Sequence, residues 1–395
     1  MSENDPGKPD ARLADTRLIQ GGRRSEWLNG MVNVAVARTS TVLFEDVGEM
    51  HAAYPPRDGT PSYGRNGTMT HWSLCEALTQ LEPGAAGTRL FPSGAGAVAM
   101  ALLSVLASGD ELLMVDSAYD PTRRFCDEVL GAQGIATRYY DPRLSAEEVD
   151  ALVSPATRAV FMESPGSLTF EVQDVPGICA MAKARGLTTL LDNTWATPLL
   201  FPAIGHGVDL AILACTKYIS GHSDVMLGSV TAGPEHFERL ARTYVLYGQH
   251  VGADDAYLAA RGLRTLSVRL ARHEENALEV ARWLREQPQV ARVVHPAFED
   301  CPGHDYWKRD FGGSSGLFAF ALADDDAASA ARLVDALSLF GIGYSWGGYE
   351  SLAIPVRPHR TAVPGSGGTL VRLHVGLEDP RDLIDDLARA LTAQG

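Results

Sequence analysis

The sequence has little basic charge and contains no apolar run long enough to cross a bilayer. Lysine and arginine number 34 against 49 aspartates and glutamates, which gives a formal net charge of −15. This balance argues against a nucleic-acid partner and against binding to an anionic membrane. The first residues are polar and lack the apolar core of a secretory signal, so we expect a soluble, cytoplasmic protein.

The chain is also poor in cysteine, and its histidines do not form a metal-binding pattern. Its cysteines are odd in number and none belongs to a C-x-x-C pair, which predicts reduced, mostly buried thiols at Cys75, Cys126, Cys179, Cys215 and Cys301. No H-E-x-x-H motif occurs, so no metal is expected. A serine hydrolase is disfavoured because residues 347–351 do not form a nucleophile elbow.

From about residue 88, short apolar segments alternate with helical ones. Strands are predicted at 112–115, 135–140, 159–162, 188–191 and 210–213. Strands alternating with helices predict an α/β fold with a mostly parallel sheet covered on both faces. Ligands bind such sheets at the carboxyl ends of the strands.

Three charged residues, Glu163, Asp192 and Lys217, fall at that edge of the predicted sheet. A lysine at the end of a buried strand is suited to Schiff-base chemistry, although a solvated lysine is the commoner case. An aspartate there can keep a pyridine nitrogen protonated, and its ordinary alternative is a helix cap or a turn. Their shared position favours chemistry for both.

A glycine-rich turn at residues 94–99 matches G-x-G-x-x-A, opens an apolar helix and is followed by Asp116. This is the form of a dinucleotide fingerprint with its ribose-binding acid. The preceding segment is short and ends at Pro92, which weakens that match. A helix start that binds a phosphate remains, with a simple tight turn as the alternative.

Two arginines are candidates for anion recognition. Arg65 lies two residues after Tyr63, so both side chains would point the same way in an extended segment. Without further context, a surface loop pair is the commoner explanation. Arg372 lies within an apolar strand at 369–375, on the same face as Leu370 and His374. A buried arginine requires an anion, which is either a substrate carboxylate or an internal acid.

The C-terminal third predicts a smaller α+β domain. Residues 316–322 alternate like an antiparallel strand, and helices are expected at 327–340 and 382–391. Residues 256–287 predict one long helix with a charged face, either solvated or between domains.

Several stretches, in this order, are similar to the pyridoxal-phosphate-dependent enzymes of cysteine and methionine metabolism, a fold type I family, and within it to the bacterial cystathionine β-lyases. They are SYGRNGTMTHWSL (62–74), LFPSGAGAVA (90–99), ESPG (163–166), LDNTWA (191–196), ACTKYISGHSDVMLG (214–228), YSWGGYES (344–351) and GTLVRLHVGLED (368–379). The resemblance implies an N-terminal tail and arm at 1–62, a cofactor-binding domain at 63–255 and a C-terminal domain at 256–395.

The resemblance also implies pyridoxal 5′-phosphate as the cofactor, held covalently by Lys217. Asp192 would pair with the pyridine nitrogen, and Tyr119 would stack on the ring and take part in proton transfer. The phosphate and the remaining cofactor contacts would be made by Gly94, Ala95, Thr194, Thr216 and, from a neighbouring subunit, Tyr63 and Arg65. The substrate would be bound by Arg372, Ser345, Trp346 and Tyr63.

The implied activity is β-elimination of L-cystathionine to homocysteine, pyruvate and ammonia, in a homotetramer that shares its sites between subunits. A cystathionine γ-lyase or γ-synthase, a methionine γ-lyase and a non-catalytic relative stay open, as does a nicotinamide-dependent oxidoreductase that uses residues 94–99. Trp346 favours the β-lyase branch, because the γ enzymes often have leucine there. Ala214 departs from the family, since many members have serine three places before the lysine.

Overall fold

The structure is a computed structural model that describes residues 12–364 and 368–393. Its α-helices are α1 (Ala14–Gln20), α2 (Ser25–Leu28), α3 (Val47–Ala52), α4 (Met69–Thr79), α5 (Gly94–Val105), α6 (Asp120–Arg124), α7 (Ala146–Asp150), α8 (Val175–Arg185), α9 (Thr197–Leu200), α10 (Pro234–Leu246), α11 (Ala253–Leu263), α12 (Leu266–Arg285), α13 (His304–Asp310), α14 (Ala327–Asp335) and α15 (Pro380–Thr392). Among the described helices, none has the length and apolarity needed to cross a bilayer.

Seven strands of the described chain form a large, mostly parallel sheet. They are β1 (Gly87–Phe91), β2 (Glu111–Val115), β3 (Ala136–Tyr140), β4 (Thr157–Glu163), β5 (Thr188–Asp192), β6 (Leu210–Ala214) and β7 (Gly228–Ala232), in the spatial order β1-β7-β6-β5-β4-β2-β3. β7 runs antiparallel to both neighbours, and the other adjacent pairs are parallel. The predicted α/β fold is therefore confirmed.

A four-stranded antiparallel sheet follows in the described C-terminal part. Its strands are β8 (Val290–Val294), β9 (Leu317–Leu322), β10 (Leu352–Val356) and β11 (Leu370–His374), in the order β10-β11-β9-β8. Leu370 packs into the core of the large sheet, whereas Val371 and Leu373 pack into a second core with the C-terminal helices. Because side chains alternate along a strand, Arg372 and His374 lie on the face turned toward the large sheet.

The prediction of one long helix at 256–287 is wrong. The structure has two helices, α11 and α12, separated by a break at Arg264 and Thr265. Arg269 does not lie on a solvated face: it is buried and donates to the carbonyl oxygen of Gly262 at 2.8 Å. Its Nε donates to the Thr265 hydroxyl at 3.1 Å and Nη2 also reaches the Ile219 carbonyl oxygen at 3.5 Å, while Nη1 has no partner among the described residues. Charge periodicity alone does not predict a guanidinium buried in this way.

Two predicted helices also differ from the observed ones. The helix expected at 327–340 ends earlier, since α14 stops at Asp335. The sequence also predicts a helix at 121–130 before the glycines at 131 and 134, and in the structure this segment begins as α6 and continues as a π-helical segment, Phe125–Leu130. All five cysteines are buried and free, as predicted. The domain boundaries at residues 62 and 255 stay a prediction.

Candidate active site

Lys217 lies just beyond β6, at the carboxyl edge of the large sheet, and its amine faces the C-terminal sheet. Its Nζ donates to Ser345 Oγ at 2.5 Å and lies 5.2 Å from the centre of the Trp346 ring. Burial and the nearby Arg372 cation lower the pKa of Lys217 to about 8, although the Asp192 carboxylate opposes the shift. A substantial fraction of the amine is thus neutral near physiological pH.

Asp192 ends β5, the strand next to β6, and one of its oxygens is already engaged. Oδ1 accepts from Thr194 Oγ1 at 2.5 Å and from the Thr194 amide at 3.0 Å. The same Thr194 hydroxyl accepts from the Ala214 amide at 2.9 Å, which ties the end of β5 to the end of β6. Within the described residues Oδ2 has no hydrogen bond and is available to a ligand.

Glu163 is a site residue that the sequence placed at the sheet edge without a role. It ends β4 directly beside Asp192 in the strand register, and its Oε2 accepts from the Tyr119 amide at 2.7 Å. Burial, and next the Asp192 carboxylate, raise the pKa of Glu163 well above its usual value. The pair therefore holds less negative charge than two free carboxylates, and Glu163 also fixes the backbone that carries Tyr119.

Tyr119 follows β2 and is 48% exposed, so much of its surface is open to the site. Burial of its remaining part and the Glu163 carboxylate raise the pKa of the phenol, while the Arg372 cation opposes this. The charges of Arg372, Glu163 and Asp192 all act on the Tyr119 phenol, so these residues lie near one another at one edge of the sheet.

The start of α5 provides free amide groups beside β6. Ser93 caps the helix by accepting from the Gly96 amide at 3.0 Å, and within the described residues the amides of Gly94 and Ala95 have no acceptor. A Cβ on Gly94 would lie 2.6 Å from the Ala214 Cβ, so only glycine lets the helix start approach β6 this closely. An anion of modest size fits this position.

Thr216 has its hydroxyl bound to the backbone of Leu227. Thr216 Oγ1 accepts from the Leu227 amide at 3.0 Å and is 3.2 Å from the Leu227 carbonyl oxygen. The Leu227 amide fixes the position of the Thr216 hydroxyl oxygen. The hydroxyl proton can still turn toward an anion, because the oxygen keeps accepting from this amide.

Asp116 is fully engaged by the protein, which excludes its predicted alternative role as a ribose-binding acid. It accepts from Arg123 Nη1 at 2.7 Å and from the amides of Thr361 and Ala362 at 2.8 Å each. Its side chain is buried, and these donors use both oxygens. The carboxylate joins the large sheet to the loop after β10, so no oxygen remains for a sugar.

Arg372 is 8% exposed and has no ion pair within the described residues. Its Nη2 donates to the Ser345 carbonyl oxygen at 2.9 Å, and its buried Nε has no partner. Burial lowers the pKa of this guanidinium to about 10. The internal acid considered as an alternative is not observed, so the guanidinium is suited to an anionic ligand.

Tyr63 and Arg65 do not join this group within one chain. Arg65 Nη1 donates to the Val245 carbonyl oxygen at 3.1 Å, and Tyr63 is 48% exposed beside a short bridge to Thr41. Within the described residues neither forms a hydrogen bond with Lys217, Asp192 or Thr216. Their predicted role, which requires a neighbouring subunit, stays a prediction.

Residues 15–392 match the family model of Cys/Met metabolism PLP-dependent enzymes. The chain belongs to this family. Its cofactor is therefore pyridoxal phosphate, and the residues present fit this group: a lysine amine, a carboxylate oxygen and two amides at a helix start, the last three without a partner in the part of the chain that the structure describes.

Within this family, the proteins similar to this chain include a cystathionine beta-lyase and a racemase. Cystathionine beta-lyase MetC of Escherichia coli (strain K12) is 46% identical over 94% of this chain and 96% of its own length. The crystal structure of metB from Corynebacterium glutamicum has a TM-score of 0.90 and 29% identity, covering 98% of this chain and all of that one. An L-alanine/L-glutamate racemase of Wolbachia pipientis wMel is 38% identical over 95% of this chain and 96% of its own length.

Proposed function

We propose that the protein is a pyridoxal-phosphate-dependent carbon–sulfur lyase that converts L-cystathionine and water to homocysteine, pyruvate and ammonia. The observation that carries this is Ser345, which joins the amine of Lys217 to the guanidinium of Arg372. A base and a carboxylate-binding cation are thereby held beside the same serine. An α-amino acid substrate needs both, the base at its α carbon and the cation at its carboxylate. The name of the Escherichia coli relative supplies the substrate and the bond that breaks.

The cofactor, when bound, supplies an electron-withdrawing ring that weakens the bonds to the substrate's α carbon. Lys217 would hold it covalently, and the Asp192 carboxylate would keep its ring nitrogen protonated. Gly94 and Ala95 would donate amides to the phosphate, and Thr216 would add its hydroxyl. Tyr119 would stack on the ring.

Lys217 removes the α-proton of the substrate. Its Nζ takes up a proton only when neutral, and the lowered pKa of about 8 makes the neutral form accessible near pH 7 to 8. Ser345 Oγ, at 2.5 Å, fixes the direction of the amine. An ordinary lysine with a pKa of about 10.4 would be almost entirely protonated at that pH.

Arg372 binds the substrate carboxylate with the guanidinium N–H groups that do not donate to the Ser345 carbonyl oxygen. The buried Nε, which has no partner, becomes paired when the carboxylate arrives. Arg372 thereby orients the α carbon toward Lys217. The leaving thiolate takes its proton from Tyr119 or from Lys217, and the half-exposed phenol of Tyr119 lies beside the site.

The functional unit is a homotetramer whose sites are shared between subunits, in the cytoplasm. Large apolar side chains of the N-terminal arm support an interface, because Leu43 is 89% exposed, Tyr54 is 78% exposed and Val47 is 64% exposed. Tyr63 and Arg65 follow this arm, and they would reach the cofactor phosphate of the neighbouring subunit.

The test is incubation of the purified holoprotein with L-cystathionine, followed by identification of the keto acid and the thiol. We expect pyruvate and homocysteine in equal amounts. Production of 2-oxobutanoate with cysteine would instead assign a γ-lyase, and retained cofactor absorbance without any product would assign a non-catalytic relative. Chiral analysis of L-alanine under the same conditions tests the activity named for the Wolbachia relative.

A further inference from the structure

The turn formed by residues 344–348 connects the base to the substrate-binding cation. Ser345 has a φ of +81° and Gly347 a φ of +88°, so two residues of this turn adopt the left-handed region. Ser345 is not a glycine, and a residue with a side chain persists in this region only where its surroundings determine the conformation. Something outside the turn must therefore stabilise this conformation.

The turn lies directly on the backbone of Lys217. A Cβ on Gly347 would be 3.0 Å from Lys217 Cα and 2.8 Å from the Tyr218 amide nitrogen. The same turn sends the Ser345 hydroxyl to Lys217 and the Ser345 carbonyl oxygen to Arg372. A small displacement of the turn therefore moves the base and the cation relative to each other.

His374 contacts this turn from β11, two residues after Arg372. Its Nε2 lies 3.1 Å from the Gly347 amide nitrogen and 3.0 Å from the Gly348 carbonyl oxygen. The side chain is completely buried. Burial lowers its pKa to about 3, assisted by His273, Arg372 and Lys217, while the bond to Gly348 opposes the shift, so the ring is neutral.

The other ring nitrogen of His374 shows that packing alone does not explain the residue. Nδ1 is buried and has no hydrogen-bond partner within the described residues. A buried polar atom without a hydrogen-bond partner destabilises the fold, and an apolar side chain of similar size would avoid that penalty. In a neutral imidazole Nε2 either accepts from the Gly347 amide or donates to the Gly348 carbonyl oxygen, and this one hydrogen bond to the turn is what the imidazole contributes.

We propose that His374 is a positioning residue of the elimination reaction, which holds the 344–348 turn and so fixes Ser345 between Lys217 and Arg372. This role rests on the proposed function, since Lys217 and Arg372 are its base and its cation. Because the His374 side chain is completely buried, it presents no surface to a substrate or a cofactor.

His273 provides a matched control for burial and ring packing. It lies on α12 with its ring centre 5.2 Å from that of His374, and it is also completely buried with one nitrogen unpartnered. Its Nδ1 contacts the Val375 carbonyl oxygen at 2.9 Å instead of the turn. Replacement of His273 therefore disturbs the same core without removing a contact to the turn.

The experiment compares the holoprotein with the variants His374→Leu, His374→Gln and His273→Leu. The side-chain amide of glutamine carries a donor and an acceptor near the position of Nε2, so it can replace either hydrogen bond, whereas leucine has neither group. We expect His374→Leu to lower kcat/KM for cystathionine by about 10- to 100-fold, since small misplacements of reacting groups have effects of this size. His374→Gln should recover to within about threefold of the wild type, and His273→Leu should lose thermal stability with kcat/KM within about threefold.

A second readout does not depend on turnover. The pH titration of the bound cofactor's visible absorbance reports the surroundings of Lys217, and His374→Leu should shift its midpoint by at least about half a pH unit. His374→Gln and His273→Leu should leave the midpoint in place. An inactive wild type would refute the proposed function, while this titration would still decide the role of His374. An unshifted midpoint in His374→Leu, or an equal shift in His273→Leu, would overturn the proposal.

Discussion

The two sides of the candidate site are built from different kinds of backbone. On one side Glu163, Asp192 and Lys217 come at or just after the ends of adjacent parallel strands, and the sheet itself sets their spacing. On the other side Ser345 and Trp346 lie on an irregular turn with left-handed residues, held against Lys217 from β11. The first side is a consequence of the fold, whereas the second depends on individual contacts.

From this difference we expect the sheet side to be sensitive to changes in side-chain chemistry and the turn side to be sensitive to changes in shape. The strand ends fix where the backbones of Asp192 and Lys217 lie, so substitutions there should change the reaction without displacing the backbone. Substitutions in the turn should displace groups that are chemically unchanged. Four substitutions, ordered from the largest expected effect to the smallest, test this contrast.

Lys217→Ala should abolish turnover and the visible absorbance of the bound cofactor. The variant loses both the covalent anchor and the base, so we expect a decrease of at least about 10³-fold in kcat. Lys183, exposed in the last turn of α8, provides the control, because Lys183→Ala removes a lysine far from the sheet edge. Turnover with unchanged absorbance in Lys217→Ala would show that the sheet side of the site is not where the chemistry occurs.

Arg372→Ala should raise KM for cystathionine by about 10²-fold and leave the cofactor absorbance intact. A charge-assisted, bidentate contact with the substrate carboxylate contributes about 1.5–3 kcal/mol, which is about 10- to 100-fold in affinity. Arg372→Lys keeps the charge and loses the fork geometry, so it should recover only part of the loss. Steady-state kinetics and the absorbance spectrum check this, and an unchanged KM would remove Arg372 from the site.

Lys217 and Arg372, the subjects of these two predictions, also show which site residues can be located from a sequence alone. Lys217 and Asp192 were predictable because parallel strands bring their carboxyl ends to one edge, and that edge is where ligands bind. Arg372 was predictable because a cation within an apolar strand requires an anion. Glu163 stood at the same edge, yet only the register with Asp192 and the bond to the Tyr119 amide give it a function.

The turn side could not be predicted in the same way. The contact between Ser345 and Lys217 joins residues 128 positions apart, and it requires a positive φ at a serine, which sequence patterns do not indicate. The contact of His374 with Gly347 and Gly348 likewise depends on how β11 faces the large sheet. For the same reason the sequence did not predict the burial of Arg269, because a guanidinium that donates to buried carbonyl groups has the same charge periodicity as an exposed one.

Gly347→Ala should lower kcat/KM by about 10- to 100-fold while the cofactor stays bound. The added methyl group collides with the Lys217 backbone, and alanine is strained at a φ of +88°. Gly343→Ala is the control, because its methyl group would meet only the Leu352 side chain at 3.8 Å. If Gly347→Ala had wild-type kinetics, activity would not depend on the shape of the turn, and the contrast between the two sides would fail.

Ala214→Ser should have the smallest effect of the four substitutions. It adds a hydroxyl group on the sheet side and should leave the backbone in place. A serine here places a hydroxyl near the start of α5, since Gly94 approaches the Ala214 methyl group so closely. An additional hydrogen bond to a phosphate should tighten pyridoxal phosphate about threefold to tenfold. Dissociation of the cofactor from the holoprotein, followed by its absorbance, measures this.

The control for Ala214→Ser is Ala86→Ser, which adds a hydroxyl at the exposed turn before β1 and should leave cofactor release unchanged. Tighter binding in Ala214→Ser alone would locate the phosphate between the start of α5 and the end of β6. Equal release from both variants would mean that the phosphate does not reach Ala214, so the free amides of Gly94 and Ala95 would need another ligand. Because alanine and serine differ by one atom and the strand end is rigid, either result reports the phosphate position and not a backbone shift.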